Sequence, residues 1–381
     1  MKILHIIRSI NPDSGGVIES IILRNILYKE LKFKCEIATL DIFSKKLILD
    51  KRLPFVNFLG ISKNRIINYF NFSKWLNINI KNYDLVIYDG IWQITNFALW
   101  KIAKKNNVKY HIAIHGMLDP WFNKNILKYL KKIIFWWLIQ YRVLRDAKSV
   151  IFTSNEEARL ASKASFFPYK IKKNIISYPV QGNPYINKIK SNSFLKKFPK
   201  LKKKKILLYL GRIHEKKGLD LLLKAFKKFS YNKEIHLVIS GPHQKEYMAK
   251  IIKLIEILDL KNHVTFTGPL YNKIKWDAYY ASEVFCLPTH QENFGLTLAE
   301  SLSSRRPVIT TNKTNIWKYI KNYKAGFVGG DNVASLQKKI NEWLSLSKKE
   351  YNKMCINSLK CFNREFSREA VKKDFNEILK L

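Results

Sequence analysis

Cysteine is scarce in this chain of 381 residues, and the few that occur are scattered. No two form a Cys-x-x-Cys pair and none stands at metal-ligand spacing from a histidine cluster; the four are Cys35, Cys286, Cys355 and Cys361. A disulfide scaffold or a structural zinc domain needs denser and more regular spacing. The pattern therefore predicts a protein of a reducing compartment without structural zinc.

Long apolar runs are missing as well. The longest, Ile133–Ile139, has seven residues, whereas a transmembrane helix needs about 20. The apolar start of the chain, Ile3–Ile7, is too short for the core of a signal peptide and predicts a first strand instead. We therefore expect a cytoplasmic protein, and a peripheral position on the inner face of the cell membrane stays open.

Acidic residues are few. The chain has 69 Lys+Arg against 29 Asp+Glu, which gives a formal net charge of +40. This balance favours an anionic partner: nucleic acid, anionic lipid or a phosphorylated substrate. Drift in an AT-rich genome accounts for the abundance of lysine and asparagine but not for the shortage of acids, so we expect both causes to contribute.

The length allows two domains of about 180 residues, each able to bury roughly 70% of its unfolded surface without disulfides. Strand-like runs alternate with helical periods almost throughout, which predicts an α/β fold of two Rossmann-like domains with parallel sheets. The clearest predicted strands are Ile3–Ile7, Lys34–Leu40, Leu85–Tyr88, Lys109–Ile114, Val150–Phe152, Ile206–Leu210, His236–Ile239, Val264–Phe266, Val284–Leu287 and Val308–Thr310.

A linker is predicted from Gln181 to Lys205, where glycine and proline precede a run of lysines. We therefore expect domains at residues 1–185 and 186–365. The last segment, 366–381, begins with Ser367 as a helix N-cap and carries apolar residues at helical spacing, which predicts an amphipathic closing helix.

The most informative stretch is Glu292–Glu300, in which two carboxylates stand eight positions apart around Phe294-Gly295. It follows the apolar strand Val284–Leu287 and opens an apolar-patterned helix. The first carboxylate is therefore expected on a strand-to-helix loop and the second two turns into the helix. Free N–H groups at a helix start bind anions, and a helix carboxylate can accept both hydroxyls of a ribose. The combination predicts a nucleotide-sugar pocket.

A second loop of this kind runs from Gly211 to Gly218, between a predicted strand and a helix. Ligands of open α/β sheets bind at the carboxyl ends of strands. Arg212 and Lys217 lie five positions apart across a turn, so a planar guanidinium and a point charge can close on one pyrophosphate. Alternatively, Lys217 is one more solvated lysine of a basic chain, but the glutamate pair downstream favours phosphate binding.

In the first domain, Gly15-Gly16 stands at a predicted helix start, where a phosphate or sugar can approach the backbone closely. The full Gly-x-Gly-x-x-Gly fingerprint is absent, which argues against a dinucleotide site. His115-Gly116 directly follows strand Lys109–Ile114, and a histidine at such an edge can bond a sugar hydroxyl or transfer a proton. The alternatives are a simple turn for the glycines and a structural histidine.

The stretch Trp121–Lys148 mixes tryptophan and phenylalanine with many Lys and Arg. A basic helix with an aromatic face can lie in the interface of an anionic bilayer. A packed crossover helix with a solvated basic face has the same composition. Both interpretations stay open, and the overall charge slightly favours membrane contact.

Together these motifs resemble those of family 4 of the retaining glycosyltransferases, which have the GT-B architecture: two Rossmann-like domains with parallel sheets facing a central cleft. The likeness covers nearly the whole chain, and the segment from His115 to Trp121 is similar to a subgroup that builds bacterial surface polysaccharides on lipid carriers. The matching elements, in the family's order, are Gly15-Gly16, His115-Gly116, Gly211-Arg212 with Lys217-Gly218, Gly268, and Glu292 with Glu300.

The resemblance implies a donor site carried mainly by the second domain. Arg212 and Lys217 would hold the diphosphate, while Glu300 would hold the ribose and Glu292 the donor sugar. The backbone amides of Phe294-Gly295 would assist at the sugar and phosphates. No metal is expected, because the two cations and a helix terminus stabilise the departing diphosphate, and the sequence shows no Asp-x-Asp at a plausible metal position.

The resemblance also implies contributions from the first domain. His115 would contact the donor sugar near the reacting carbon, and Gly16, next to Gly15, would lie close to the diphosphate. The acceptor would occupy this domain's side of the cleft, and the closing helix would return to it. Acceptor residues cannot be transferred from the family.

The predicted function is transfer of a hexose, with retained configuration, from a nucleotide diphosphate sugar to a hydroxyl of a lipid-linked or polysaccharide-precursor acceptor. One alternative is a nucleotide-sugar epimerase on the same scaffold. A more distant one is a nucleic-acid-binding protein, whose basic residues would cluster with stacking aromatics. Here the lysines are spread over both halves of the chain, so no nucleic-acid partner is expected.

Overall fold

A computed structural model describes residues 1–11, 16–48, 50–60, 64–123, 126–164, 166, 168–186 and 193–380. The chain divides into two compact units. The first unit contains Met1–Pro179 and Val371–Leu381, and the second contains Val180–Ala370. Each unit is built on one parallel sheet covered by helices, so the predicted pair of Rossmann-like domains is confirmed.

The first unit has a seven-stranded sheet, with strands β1 (Lys2–Ile7), β2 (Lys34–Ile42), β3 (Phe55–Gly60), β4 (Leu85–Asp89), β5 (Tyr110–Ala113), β6 (Ser149–Phe152) and β7 (Lys173–Ile175). The order is β3-β2-β1-β4-β5-β6-β7, and each neighbouring pair is parallel. Because β1, β4 and β5 lie side by side in the interior, residues at their carboxyl ends share one edge of the sheet.

Helices cover both faces of this sheet because successive strand residues point to opposite sides. The helices are α1 (Val17–Glu30), α2 (Arg65–Asn79), α3 (Ile94–Asn106), α4 (Ile126–Phe135), a π-helical turn (Trp136–Gln140), α5 (Tyr141–Arg145), α6 (Asn155–Ala164) and α15 (Arg368–Lys380). Leu4 and Ile6 belong to the core shared with α2, α3, α5 and α6, whereas Ile3 belongs to the core shared with α1 and α15.

The second unit has a six-stranded parallel sheet, with strands β8 (Lys205–Leu210), β9 (Ile235–Ser240), β10 (Val264–Phe266), β11 (Val284–Leu287), β12 (Val308–Thr311) and β13 (Gly326–Gly329). The order β10-β9-β8-β11-β12-β13 makes β8 and β11 neighbours. Its helices are α7 (Ser193–Lys197), α8 (Leu219–Phe226), α9 (Lys245–Ile257), α10 (Asn272–Ala281), α11 (Leu296–Ser303), α12 (Trp317–Asn322), α13 (Val333–Leu344) and α14 (Lys348–Glu365).

The unit boundaries fall about five residues from those predicted, at 179/180 instead of 185/186 and at 370/371 instead of 365/366. Hydrogen bonds explain the first difference. The Val180 amide donates to the Phe366 carbonyl (2.9 Å), and the Asn183 amide donates to Ser303 Oγ (3.1 Å), so this stretch belongs to the second unit. In α15, Val371 and Phe375 pack in the core of the first unit.

Candidate active site

The loop between β8 and α8 is held against the end of β11. Gly218 has a φ of +66°, and a side chain there would meet the Pro288 carbonyl oxygen at 2.0 Å, so only glycine fits. The Lys216 carbonyl accepts hydrogen bonds from the His290 amide (2.8 Å) and from Thr289 Oγ1 (2.7 Å). These contacts place the loop directly beside the segment that leads into α11.

Lys217 and Glu292 form an ion pair through this packing. The Lys217 ammonium donates to Glu292 Oε2, and the two side chains are only 19% and 16% exposed. Beside them, Lys216 Nζ donates to Gln291 Oε1 at 3.0 Å. The structure thus brings together two residues that the sequence assigned to separate motifs.

Arg212 projects from the same loop and is exposed. Its backbone is fixed, because Tyr209 donates its hydroxyl proton to the Arg212 carbonyl at 2.9 Å. Its guanidinium makes no hydrogen bond or ion pair to any residue that the structure describes. A fixed backbone and a planar guanidinium that binds none of the described residues suit the binding of a phosphate.

The segment between the two glutamates is anchored by its backbone. The Glu292 amide donates to the Lys313 carbonyl (2.9 Å), and the Glu292 carbonyl accepts from the Asn315 amide (3.0 Å). Gly295 has a φ of +79° and is the N-cap residue of α11, which has no side-chain cap. The free amides at this helix start therefore lie next to Glu292, whose Cγ is 3.4 Å from the position of a Gly295 Cβ. The Phe294 side chain is buried in the core.

Glu300 lies on α11 and is held by two residues of α10. Lys275 Nζ donates to its Oε1 at 2.7 Å, and the Tyr279 hydroxyl donates to its Oε2 at 3.0 Å. Burial raises the pKa of Tyr279 well above its usual value, and the charge of Glu300 raises it further, so this hydroxyl keeps its proton. Neither Lys275 nor Tyr279 was predicted as a site residue. Both lie inside α10, whereas the predicted site residues come from segments that directly follow a strand.

The four charged residues of the second unit that were predicted to bind the donor therefore follow two neighbouring strands, with Arg212 and Lys217 after β8 and Glu292 and Glu300 after β11. Both carboxylates are partly buried and each is paired with a lysine. Such a set offers cations for a diphosphate and charge-assisted acceptors for hydroxyl groups.

A cavity of about 460 Å³ lies on another side of the β8–α8 loop. Helices α8 and α9 form most of its wall, with Asp220, Tyr247, Ile251 and His290 among its lining residues. None of the four predicted donor residues lines it. We assign the donor site to the strand ends rather than to this cavity, because ligands of open α/β sheets bind at the carboxyl ends of strands and the predicted donor residues lie there.

In the first unit, His115 follows β5 in a left-handed conformation, with a φ of +52°. Its Nε2 lies 2.8 Å from Asp89 Oδ1 and its Nδ1 lies 2.6 Å from the Tyr178 hydroxyl. Because a carboxylate only accepts, Nε2 carries a proton and donates it. The side chain is 1% exposed, so the protein itself engages both ring nitrogens.

Asp89 links this histidine to a second one. Its Oδ2 accepts from His5 Nδ1 at 2.6 Å, and the Arg24 guanidinium lies 3.7 Å from Oδ1. Burial alone would raise the pKa of the Asp89 carboxyl, but His5 and His115 hold it well below its usual range. The guanidinium of Arg24, a residue that is 2% exposed, has no hydrogen-bond partner among the described residues, and Asp89 is its ion-pair partner there.

The position of Asp89 at the end of a strand indicates a site residue, although Asp89 was not among the residues predicted from the sequence. Asp89 ends β4, the neighbour of β5, and strand ends at one edge of a parallel sheet lie close together. The adjacent Gly116 amide donates to buried Glu157 at 2.5 Å. Burial raises the pKa of Glu157 despite the hydrogen bonds it accepts from Thr153 and Gly116.

Gly16 is the N-cap residue of α1 and is exposed, and outside its chain neighbours no atom of the described residues lies within 4 Å of the position that a Cβ would take there. Gly15 lies outside the described residues. The contacts of Gly16 and His115 with a donor stay predictions.

The stretch Trp121–Lys148 has both buried and exposed aromatic and aliphatic side chains. Trp136 is fully buried against Phe166 and Tyr169, as in a packed crossover helix. One side of α4 and the π-helical turn, however, presents an apolar stripe to solvent. We name the exposed stripe by its residues: Ile126, Leu127, Leu130, Ile134, Trp137 and Leu138.

Two features are absent from the described parts of the chain, a membrane-spanning helix and a metal-binding cluster. None of the helices there combines the length and hydropathy needed to cross a bilayer. Nor do those residues contain a group of three or more His, Cys, Asp or Glu side chains placed to hold a metal ion.

Solved structures share this fold over the whole chain. The Anabaena protein HepE, solved in complex with UDP, superposes with a TM-score of 0.80 at 16% identity, and the match covers 100% of both chains. At this identity the likeness establishes the fold alone. The fold class is GT-B, as predicted.

Residues 190–360 match the family described as Glycosyl transferases group 1. The O-antigen biosynthesis glycosyltransferase WclY of Escherichia coli is 25% identical over 236 residues, which are 61% of this chain and 62% of that protein. Mannosylfructose-phosphate synthase of Agrobacterium fabrum is 30% identical over 114 residues, which are 28% of this chain and 25% of that protein. The chain therefore spans less than two thirds of either relative.

The second unit of this chain is therefore similar to the group 1 glycosyl transferases, and the predicted resemblance to family 4 is confirmed. The matched residues include all four predicted donor residues of that unit. Neither the family match nor these relatives support the epimerase alternative.

Proposed function

We propose that this protein is a glycosyltransferase that moves a hexose from a nucleoside diphosphate sugar to an acceptor hydroxyl. The observation that carries the proposal is the ion pair of Lys217 with Glu292, which joins the segments after the neighbouring strands β8 and β11 that also carry Arg212 and Glu300. The family match and the UDP complex of HepE support a nucleoside diphosphate as the donor.

The cations of the second unit would hold the diphosphate. The Arg212 fork has no competing partner among the described residues, and the Lys217 ammonium has three N–H donors, so it can keep Glu292 while binding a phosphate oxygen. The free amides at the start of α11 add further donors. Glu300 would then accept the ribose hydroxyls, and Glu292 would contact the donor sugar.

In the proposed reaction, the bond from the sugar's anomeric carbon to the diphosphate oxygen breaks, and a bond from the acceptor oxygen forms on the same face. The acceptor's proton passes to the departing phosphate. No residue is assigned as a covalent nucleophile. Retention is tested by proton NMR of the sugar released in slow hydrolysis of an α-linked donor: an α sugar is expected, and an initial β product contradicts retention.

We propose that the reaction needs no metal, because two cations and a helix start face the leaving group. EDTA is then expected to leave the rate of transfer unchanged. A loss of rate that added Mg²⁺ or Mn²⁺ restores would contradict this part of the proposal.

We propose an acceptor carried at a membrane surface. The exposed stripe on α4 is apolar, and exposed Lys128 and Lys131 lie on the same helix, which together suit an anionic bilayer. The name of WclY, which places that relative in O-antigen biosynthesis, supports a lipid-linked or polysaccharide-precursor acceptor.

A thermal-shift screen tests the donor site directly. The full chain is heated with UDP, GDP or dTDP and with their glucose or mannose derivatives. A ligand at 100 times its dissociation constant stabilises by about 2.7 kcal/mol, so one nucleotide is expected to raise the melting temperature clearly. The Arg212→Ala variant is expected to lose this shift. No shift with any nucleotide would contradict the proposed function.

A further inference from the structure

Glu300, the proposed ribose acceptor, is oriented by one turn of a neighbouring helix. Lys275 and Tyr279 stand four positions apart on α10, and each donates to a different oxygen of the carboxylate, at 2.7 and 3.0 Å. The Lys275 ammonium also lies over the ring of Trp276, 4.5 Å from its centroid. The side chains of Lys275 and Glu300 are 22% and 17% exposed, so solvent screens this pair only in part.

The arrangement leaves Glu300 able to bind two more donors. A carboxylate has about four acceptor positions, two on each oxygen. Lys275 takes one on Oε1 and Tyr279 takes one on Oε2, so each oxygen keeps one. A ribose offers two neighbouring hydroxyls, which match this remaining pair. A hydroxyl bonded to Oε1 would lie within about 5 Å of the Lys275 ammonium.

The positive charge of Lys275 also reduces the repulsion between Glu300 and an anionic ligand. A nucleoside diphosphate is an anion, and an uncompensated carboxylate near its binding position repels it, by an amount that grows as solvent is excluded. In this unit Lys217 neutralises Glu292 and Lys275 neutralises Glu300. The two pairs allow carboxylates to serve as hydroxyl acceptors beside an anionic ligand.

We propose that Lys275 is a positioning residue for donor binding, which fixes and neutralises Glu300 so that the carboxylate accepts a ribose close to a diphosphate. This inference rests on the proposed function and adds a residue that the strand-end motifs do not contain.

The test is isothermal titration calorimetry of the full chain with UDP and with GDP, using the nucleotide that the wild type binds more tightly. Lys275→Met is expected to weaken binding about tenfold or more, as for the loss of a hydrogen bond to a charged group. Lys275→Arg keeps the charge and is expected to stay within about threefold of the wild type. In a Glu300→Gln background, Lys275→Met is expected to cost less than about threefold, because the two act together.

Two further variants serve as comparators. Tyr279→Phe removes a neutral donor to the same carboxylate, so a smaller loss with unaltered salt dependence is expected. Lys261→Met breaks an exposed ion pair with Glu256 (3.1 Å) in the same unit and is expected to leave nucleotide affinity unchanged. Melting temperatures measured without nucleotide show whether each variant is folded.

The outcomes separate this inference from the function beneath it. If the wild type binds none of UDP, GDP and dTDP, the proposed function fails and the inference fails with it. If it binds only dTDP, whose sugar lacks the 2′-hydroxyl, the function stands and the inference is wrong. If the wild type binds and folded Lys275→Met binds equally well, only the inference is wrong. An equal loss in the wild-type and Glu300→Gln backgrounds also contradicts it, because Lys275 would then act independently of Glu300.

Discussion

The two units have nearly the same length and the same parallel α/β plan, yet their surfaces differ. Among the described residues, 17 exposed large apolar side chains belong to the first unit and six to the second. Single exposed apolar residues are ordinary, but a continuous stripe such as that of α4 marks a surface that meets something apolar. The comparison favours the first unit for the proposed membrane contact and the second unit for the proposed binding of a water-soluble donor.

The solvent exposure of the ion pairs around the predicted site residues differs in the opposite sense: those of the first unit are buried and those of the second are partly exposed. In the first unit, Asp89, His5, His115 and Arg24 are all but sealed from solvent. In the second, the pairs Lys217–Glu292 and Lys275–Glu300 are 16–22% exposed. A buried charge network costs much to rearrange, whereas partly exposed pairs can exchange partners with a ligand. We therefore infer that the buried network stabilises the fold of the first unit, whereas the partly exposed pairs of the second unit can bind a ligand.

The largest effect is expected from breaking the buried network. Asp89→Asn leaves the Arg24 guanidinium without its ion-pair partner, and removal of one partner of a buried ion pair costs about 3–5 kcal/mol. Urea unfolding of the full chain measures the loss. Asp84→Asn, an exposed carboxylate at the start of the same strand, is the control and is expected to cost less than about 1 kcal/mol. Equal losses in the two variants would contradict the comparison.

The same network predicts a pH dependence. The pKa of Asp89 is depressed in the folded protein, so its stabilising contribution is present above the unfolded pKa of about 3.9 and is lost as pH falls through the folded value. Wild-type stability is expected to drop below about pH 4, and Asp89→Asn is expected to lack this component. Parallel stability curves for the two proteins would contradict the assignment.

Next in size is the loss of a cation from the second unit. Arg212→Ala and Lys217→Ala are each expected to lower kcat/KM by about 2–4 kcal/mol in transition-state free energy, because the departing diphosphate loses a charge-assisted contact. The melting temperature of Arg212→Ala is expected to stay near that of the wild type because its side chain is exposed, whereas Lys217→Ala leaves the partly buried Glu292 without its ion-pair partner and is expected to melt somewhat lower. Near-normal turnover by both variants would remove the diphosphate assignment.

A smaller effect is expected at the exposed stripe. Leu130→Ser and Ile134→Ser each remove apolar area from the proposed bilayer contact. Each variant is expected to weaken vesicle binding by about 1–2 kcal/mol. Co-sedimentation with phosphatidylglycerol vesicles measures it, with phosphatidylcholine vesicles for comparison. Ile257→Ser is the matched control, because Ile257 is 69% exposed but belongs to the second unit. Equal losses at Ile257 and at the stripe would overturn the division between the units.

The smallest effect concerns His290 in the second unit. Asp220 and Asp331 raise its pKa, so its stabilising contribution is present below the unfolded value of about 6.5 and is lost as pH rises through the folded value. Since the side chain is a third exposed, less than about 1 kcal/mol is expected, or a few degrees in melting temperature. The decline above pH 6.5 should vanish in His290→Gln; its persistence there would assign it to another group.

Much of the fold was predictable from local pattern. Each of the ten predicted strands overlaps a strand of the structure, because buried parallel strands read as short, dense apolar runs. The three that were not predicted, β3, β7 and β13, are all at sheet edges. Edge strands are only partly buried, as the exposed starts of β3 and β7 show, so their sequences carry a weaker apolar signal.

The candidate site was predictable to a similar degree. Glycines with positive φ marked the strand-end loops, and Gly218 and Gly295 both have the left-handed backbone that such turns require. The partners of the predicted residues were missed. Nothing in the sequence near Lys275 indicates that it reaches Glu300, 25 positions later, and nothing near Tyr178 indicates a contact with His115.

By itself the sequence determined the alternation of strands and helices, the loops at the strand ends and the residue types available there, because these depend on neighbours within a few positions. Tertiary structure alone decided which charges meet: Lys217 with Glu292, Lys275 with Glu300, and His115 with Asp89. The physical reason is that such pairs depend on the order of strands in each sheet and on the packing of helices between them, and both are properties of the whole unit.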